Sequence, residues 1–372
     1  MKKVGIITHY YKSQNYGGVL QSYALCQVLN KNNYKSEQIC YPLLMTPQGS
    51  RMKRIFSDGL IGFCRRLYNY IKKLVLLPFQ KHEEKKLGLR ARRERAFFNF
   101  MNFSIPHSEN VYSQETIGQT VELYDAFITG SDQVWNRDIT TPMDLQFFLK
   151  DCCVKKVSLS SSFGKNVWTE DSEYTLQVKE LLNSFDALSV REYSGKEILE
   201  NTFGIESTVL VDPTLAYGNF EDLVLDNNPK KHIYTFFVNQ ISNYEKIVNE
   251  ISAQTGLDVF RHTKFSYYLK NGPRHWLTYI KNSSCVITDS FHGVAFSVIF
   301  KKDFYVLCGE ANKFDRVLNL LSLLGLEDRY ISSIEEYEKK KNSICEINYE
   351  AVFHKLSVEQ KRYGDFIQRY IK

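Results

Sequence analysis

The residue pattern best suited to chemistry lies where an apolar run, Cys285-Val286-Ile287, ends in Thr288-Asp289-Ser290-Phe291-His292-Gly293. A buried strand that stops at Asp, Ser and His, followed by a glycine that opens a helix, sets an imidazole beside a helix amino end. The imidazole titrates near neutrality and can give or take a proton. The helix end favours an anion, with Ser290 and Gly293 as its donors. Asp289, three residues before His292, is placed to orient it. A lone histidine is usually structural, but this one ends a strand, where the ligand crevice of an α/β domain opens.

Cations follow other strand ends. Arg191, in Ser189-Val190-Arg191-Glu192, can take a carboxylate or phosphate with two parallel bonds, or pair with Glu192 or Glu197. Lys313 and Arg316, in Asn312-Lys313-Phe314-Asp315-Arg316, precede the amphipathic stretch Val317 to Leu324. Two further clusters are uncharged or mixed. Gly130-Ser131-Asp132-Gln133-Val134-Trp135-Asn136 offers backbone donors, a hydroxyl, a carboxylate, an amide and an indole, the set that holds a sugar by its edge and its face. The same residues also read as a helix cap. Asn15-Tyr16-Gly17-Gly18 is a glycine turn that lets backbone N–H groups approach an anion, or simply a tight turn.

The elements that must position these groups alternate. Val4 to Thr8 reads as a strand and Val19 to Asn30 as a helix. Residues 39–42, Ala126 to Gly130, Val157 to Ser161, Ala187 to Val190 and Val209 to Val211 read as further strands. After Asn227-Asn228-Pro229 the rhythm restarts, with strands at His232 to Val238, Leu257 to Arg261, Cys285 to Asp289 and Phe304 to Leu307. Helices fall between them, at Tyr244 to Gln254, Trp276 to Asn282 and Gly293 to Phe300. The expected organisation is an α/β first domain over residues 1–220 with a helical insertion at about 51–103, an α/β second domain over 221–345, and a helical tail over 346–372. A chain of 372 residues exceeds one hydrophobic core, which agrees.

Composition narrows the function classes. The first residues do not form a signal peptide, and no run approaches the ~18 apolar residues of a membrane span, so a cytoplasmic protein is expected. Eight scattered cysteines without a C-x-x-C pair indicate reduced thiols and no metal site. P-loop, H-E-x-x-H, G-x-S-x-G, kinase and G-x-G-x-x-G patterns are absent. The net charge of +6 is concentrated, because residues 51–95 hold 14 Lys and Arg against 4 Asp and Glu. Within that segment Leu60, Cys64, Leu67, Ile71, Leu74 and Val75 share one helical face, with Arg65, Arg66, Lys72 and Lys73 on the other side. This is the pattern of a helix lying on an anionic membrane surface, or of one packed on the domain with a solvated basic face. No nucleic-acid-binding fold accompanies the basic segment.

Seven motifs, in order, resemble those of the polysaccharide pyruvyl transferases: NYGGVLQSYAL (Asn15 to Leu25), FITGSDQVWN (Phe127 to Asn136), SLSSSFG (Ser158 to Gly164), LSVREYSGKEIL (Leu188 to Leu199), VLVDPTL (Val209 to Leu215), VITDSFHG (Val286 to Gly293) and LLGLEDRY (Leu323 to Tyr330). The resemblance implies two Rossmann-like domains facing across a cleft, as in GT-B glycosyltransferases. It implies phosphoenolpyruvate as donor, a hexose of a polysaccharide or lipid-linked oligosaccharide as acceptor, and no cofactor. His292 is then the expected catalytic residue with Asp289. Arg191, Lys313, Arg316, Ser290 and Gly293 are the expected donor-binding residues. Asn15, Gly17, Gly18, Gln21, Ser131, Asp132, Gln133 and Trp135 are expected on the acceptor side. Better-known members carry Arg-Leu-His-Gly where this chain has Ser290-Phe291-His292-Gly293, so an arginine of the donor site is missing here. A glycosyltransferase using a nucleotide sugar and a non-catalytic sugar-binding protein are the rival readings. A lipid-linked acceptor would place the protein peripherally on the inner face of the membrane.

Overall fold

A computed structural model describes residues 1–42, 80–141, 144–225, 231–239, 244–262, 272–307 and 315–372. The membrane-helix expectation, Leu60 to Val75, and Lys313 lie outside the described residues.

Short apolar runs become strands buried on both faces, as parallel sheets require. The first domain contains β1 (Lys3–Ile7), β2 (Lys35–Cys40), β3 (His107–Val111), β4 (Ala126–Thr129) and β5 (Lys155–Ser158). They pair in parallel in the order β3-β2-β1-β4-β5. Two shorter strands, β6 (Ser189–Val190) and β7 (Thr208–Val209), pair in parallel with each other. Isolated bridges from Val157 to Ala187 and from Ser161 to Val190 carry the sheet on from β5 to β6. The second domain repeats the design with β8 (His232–Phe236), β9 (Asp258–Arg261), β10 (Cys285–Thr288), β11 (Asp303–Leu307) and β12 (Tyr330–Ile331), in the parallel order β12-β11-β10-β8-β9. The fold is α/β, with two Rossmann-like domains. The edge strands β3 and β12 were not expected from the sequence. β3 is the polar HSENV with one buried residue, and β12 has only two residues.

The helices that bear on the site are α1 (Tyr16–Lys31), α2 (Gln80–Ser104), α3 (Pro213–Tyr217), α4 (Pro273–Asn282), α5 (Phe291–Ile299), α6 (Asp315–Leu324) and α7 (Tyr349–Tyr370). The Asn15 side chain caps α1 by accepting from Gly18 N at 3.2 Å, which satisfies one orphan donor of the first turn. Tyr16 then projects into the second domain and stacks on Trp276, with 5.3 Å between centroids and 14° between planes. Arg93 of α2 pins this turn. Its Nη1 donates to Tyr16 Oη at 2.9 Å and its Nη2 to Gln14 O at 2.8 Å. Although it belongs to the basic segment, Arg93 is therefore buried.

The two domains share one apolar cluster. It runs from Val19, Leu20 and Leu25 of α1 through Trp276 of α4 to Val294 and Phe296 of α5. α7 starts at Tyr349, earlier than the expected Val358, and returns to the first domain. Gln360 Nε2 donates to Leu215 O at 2.8 Å, Gln368 Nε2 to Asn32 Oδ1 at 3.2 Å, and Tyr363 between them is fully buried.

Candidate functional site

In the first sheet the chain leaves β1 toward β2 on one side and returns to β4 on the other. The carboxyl ends of β1 and β4 therefore flank the topological switch point where α/β sheets bind ligands. In the second sheet the switch point lies between β8 and β10. Charged side chains converge at the first of these and meet His292 from the second.

His9 follows β1 and is 8% exposed. Its Nε2 lies 3.4 Å from Asp132 Oδ2. Asp132 follows β4 with φ +70°, a left-handed conformation that Asp tolerates better than most residues. Arg191 follows β6 and touches three carboxylates. Nη1 is 3.0 Å from Asp212 Oδ2, Nη2 is 3.6 Å from Asp132 Oδ1, and Nε is 3.5 Å from Glu192 Oε2. Its guanidinium also lies over the Phe291 ring at 4.7 Å. Asp212 precedes α3 and accepts from Ser131 Oγ at 2.8 Å, Thr214 Oγ1 at 2.7 Å and Thr214 N at 2.9 Å. Ser162 Oγ donates to Glu192 Oε1 at 2.5 Å.

The second domain supplies His292, the second residue of α5, whose Nε2 is 3.7 Å from Asp212 Oδ2 and makes no hydrogen bond among the described residues. Gly17 of α1 permits this approach, because a methyl built there would sit 2.6 Å from His292 Cε1 and closer still to Nδ1 and Cγ. Arg316, the second residue of α6, lines the same crevice as Arg191, Asp212 and Phe291.

The electrostatics follow from this packing. Burial opposes the charge on Asp132, but hydrogen bonding and charge from His9, with the charges of Arg191 and His292, hold it well below the usual carboxylate range. Burial likewise opposes ionisation of Asp212. His292, Arg191 and the Thr214 amide overcome it and hold Asp212 low. Arg191 binds its proton more tightly than in water, since Asp132, Glu192 and Asp212 outweigh burial. Burial and the neighbouring Arg191 charge push Arg316 the other way. Three carboxylates face two guanidiniums, a formal charge of −1 with both histidines neutral and +1 with both protonated. No group of three His, Cys, Asp or Glu side chains among the described residues is arranged to hold a metal ion.

Several expected roles change. Asp289 does not orient His292. Its carboxylate accepts from Val238 N at 2.6 Å, Asn239 N at 2.9 Å and Asn239 Nδ2 at 2.8 Å, so it ties the end of β8 to the end of β10. The carboxylate facing His292 is Asp212. Trp135 is not a sugar platform. It is 2% exposed, stacked on Phe148 at 5.3 Å and 3°, and donates its indole N–H to Phe147 O. Gln21 is fully buried, with Nε2 bonded to Gly18 O and Ser22 Oγ inside α1. Arg191 faces three carboxylates, which makes it the hub of the cluster, but only its Nη1 is hydrogen-bonded, while Nε and Nη2 are buried without a hydrogen bond among the described residues. The Ser131 hydroxyl and the Asp132 carboxylate are engaged inside the same cluster, and Gln133 Oε1 accepts from Asn136 Nδ2 at 2.8 Å. Ser290 caps α5 by accepting from Gly293 N at 3.3 Å. Gly293 stands where α5 crosses Thr288, with a built methyl 3.0 Å from Thr288 Cγ2. Gly18 packs on Asp132, and Asn15 caps α1.

Sequence reasoning passed over His9 and Asp212. Asp212 stands in the motif VLVDPTL, and His9 directly follows the first apolar run, Val4 to Thr8. The available signal was position, since each follows a strand of the first sheet.

The polysaccharide pyruvyl transferase family matches the chain over residues 15–307. No curated protein matches it. Among solved structures the chain is similar to S. aureus MnaA in complex with UDP, with 11% identity, a TM-score of 0.49, and coverage of 100% of this chain and 97% of that one. It is also similar to UDP-GlcNAc 2-epimerase from Methanocaldococcus jannaschii, with 12% identity, a TM-score of 0.49, and coverage of 93% of each chain. The O-GlcNAc transferase of Thermobaculum terrenum shows 10% identity, a TM-score of 0.48, and coverage of 99% of this chain and 66% of that one.

Proposed function

This chain belongs to the polysaccharide pyruvyl transferase family, and on that premise we propose that it moves the enolpyruvyl group of phosphoenolpyruvate onto a hexose of a glycan, forming a pyruvate ketal and releasing phosphate. The observation that carries this reading is His292 at the domain interface, 3.7 Å from Asp212, a carboxylate that burial has not neutralised and that also lines a crevice with the second-domain cation Arg316.

The reaction sets demands on the site. Carbon C3 of the donor must gain a proton, which makes C2 electrophilic. A sugar hydroxyl adds to C2, the C2–O bond to phosphate breaks, and a second hydroxyl closes the ketal. An imidazole whose Nε2 faces an ionised aspartate is held in place for the proton step. Asp212 holds that place for His292. The donor carries a carboxylate and a phosphate. Arg316 makes no ion pair with a carboxylate among the described residues, so it is the cation best placed for the donor, and the amino end of α5 adds fixed positive potential. Arg191 stabilises the three carboxylates, which keeps them from repelling the leaving phosphate unopposed.

A lipid-linked acceptor and peripheral contact with an anionic membrane belong to this proposal. α2 supports them: it exposes Arg90, Arg92 and Arg95, and on the same helix Phe98 is 56% and Phe103 84% exposed. No helix among the described residues is long and apolar enough to cross a membrane.

The test is phosphate release from phosphoenolpyruvate with a panel of glycan acceptors, beside melting curves with phosphoenolpyruvate and with nucleoside diphosphates. Acceptor-dependent phosphate release is the expected result. Stabilisation by a nucleoside diphosphate, with no phosphate release from phosphoenolpyruvate, would replace this reading with that of a nucleotide-sugar glycosyltransferase.

A further inference from the structure

Ketal formation needs a proton donor toward the donor carbon and a proton acceptor toward the sugar hydroxyl. His292 occupies the second-domain wall of the site. The first-domain wall holds another imidazole, also beside a buried aspartate. His9 is 8% exposed, its Nε2 faces Asp132 Oδ2 at 3.4 Å, and its Nδ1 is buried without a hydrogen-bond partner among the described residues. The ring also meets the edge of Phe147, with centroids 6.3 Å apart. His292 Nε2, likewise buried and unbonded, faces Asp212 at 3.7 Å. Arg191 joins the two carboxylates through Nη1 and Nη2. Adjacent glycines of α1 touch both pairs, since Gly17 meets His292 and a methyl at Gly18 would sit 3.4 Å from Asp132 Oδ2. A buried histidine kept for structure normally has both ring nitrogens satisfied. Here Nε2 of each ring faces a buried aspartate, and each ring has one buried nitrogen without a hydrogen bond among the described residues, Nδ1 in His9 and the aspartate-facing Nε2 itself in His292.

We propose that His9, positioned by Asp132, is the second proton-transfer residue of the site, acting on the acceptor hydroxyl while His292 acts on the donor. This rests on the pyruvyl-transfer reading. His292, as imidazolium, gives its proton to C3, and the C2=C3 electron pair forms the new C–H bond. The first sugar hydroxyl bonds to C2 as His9, neutral, takes its proton. The C2–O bond then breaks with its electron pair going to phosphate. The second hydroxyl bonds to C2 and its proton goes to the departing phosphate. One proton has moved from His292 to His9, and exchange with water resets the pair. No oxidant, metal or further reactant is needed.

The experiment is the pH dependence of kcat/KM for the full chain with phosphoenolpyruvate and the best acceptor, in wild type, His9→Gln, His292→Gln and Asp132→Asn. Wild type should give a bell. His9→Gln should melt within a few degrees of wild type, lose roughly 10²–10⁴-fold in kcat and lose the acid-side limb. His292→Gln should lose the alkaline-side limb instead. Asp132→Asn, which removes the carboxylate that positions His9, should lower kcat in the direction of His9→Gln with the KM for phosphoenolpyruvate little changed. Turnover of His9→Gln within a few-fold of wild type, or an intact acid-side limb in it, overturns the proposal. If His9→Gln melts below the assay temperature, His9→Asn is read by the same profile. A wild-type protein that releases no phosphate with any acceptor overturns the transfer reading itself, a result distinct from an active wild type with an indifferent His9.

Discussion

Gly17→Ala tests the domain contact at the centre of the site, and two effects oppose each other there. Alanine is a better helix former than glycine by about 1 kcal/mol, so in an open helix the change stabilises. At Gly17 the new methyl would lie 2.6 Å from His292 Cε1 and nearer to two other ring atoms, against about 3.4 Å for ordinary contact. The ring or the helix must therefore move by at least 3.4 − 2.6 = 0.8 Å. An imidazole anchored in a buried α5 has little room, and overpacking of this kind costs about 1–3 kcal/mol. The steric term exceeds the propensity term, so a net loss of about 0–2 kcal/mol in stability is expected. The kinetic effect is larger, because misplacing a reacting group by about 1 Å can cost ~10²-fold. Gly17→Ala should then fold, melt slightly lower and lose on the order of 10²-fold in kcat. Two controls separate sterics from propensity. Gly88, in α2, has nothing within 4 Å of an added methyl among the described residues, and Gly88→Ala should be neutral or stabilising. Gly18→Ala meets its nearest atom at 3.4 Å and should be milder than Gly17→Ala. Steady-state phosphate release and melting curves decide it. Wild-type turnover in Gly17→Ala, or a raised melting temperature, would refute the close approach of the two domains at His292.

Arg191→Met should destabilise by roughly 3–5 kcal/mol in urea unfolding, because it strands buried Asp132, Glu192 and Asp212 without their shared cation; a change below about 1 kcal/mol would mean another group neutralises them. Trp135→Ala should cost about 3–5 kcal/mol with no selective loss of acceptor affinity, and a specific rise in acceptor KM at unchanged stability would restore it as a sugar contact. Stability should fall on acidification in two stages. Burial and the Arg93 charge hold His262 down to about 3, whereas an unfolded chain takes up that proton near 6.5, so its contribution is complete above pH ~6.5 and is lost as pH falls toward 3. Asp132 and Asp212, whose folded values are depressed, add a further loss below about pH 4. Urea midpoints from pH 7 to 4 should show the first stage, and His262→Gln should flatten it; an unchanged slope would discount His262.

The parallel strands were legible because a strand buried on both faces is a short apolar run, as AFIT in β4 and CVIT in β10 are. β3 was not, since HSENV is an edge strand with one buried residue, and the sheet it completes cannot be read locally. His292 was legible for the same reason as its strand, because the chemistry stands directly after the apolar run. Its partner was not. Asp289 is near in sequence and Asp212 is near in space, and only the facing of two domains makes the second the carboxylate on His292. His9 and Asp132 are paired by the adjacency of β1 and β4, which strand order reveals and spacing conceals. Trp135 misled because an indole in a polar string looks exposed. The left-handed turn at Asp132 sends the following residues inward, and the tryptophan lands among Phe148 and Phe163.

The return of α7 imposes an order on biosynthesis. The Leu215 carbonyl is bonded by Gln360, 145 residues further along the chain. At a synthesis rate of ~5–20 residues per second, that interval is roughly 7–30 s. During it Leu210 and Leu215, buried in the finished protein, wait for part of the apolar cover that Leu356 and Tyr363 supply. The half of the molecule translated first is sealed last. Holdase chaperones would find their target on the first domain of the nascent chain, and substitutions in α7 should act on yield in the cell before they act on catalysis.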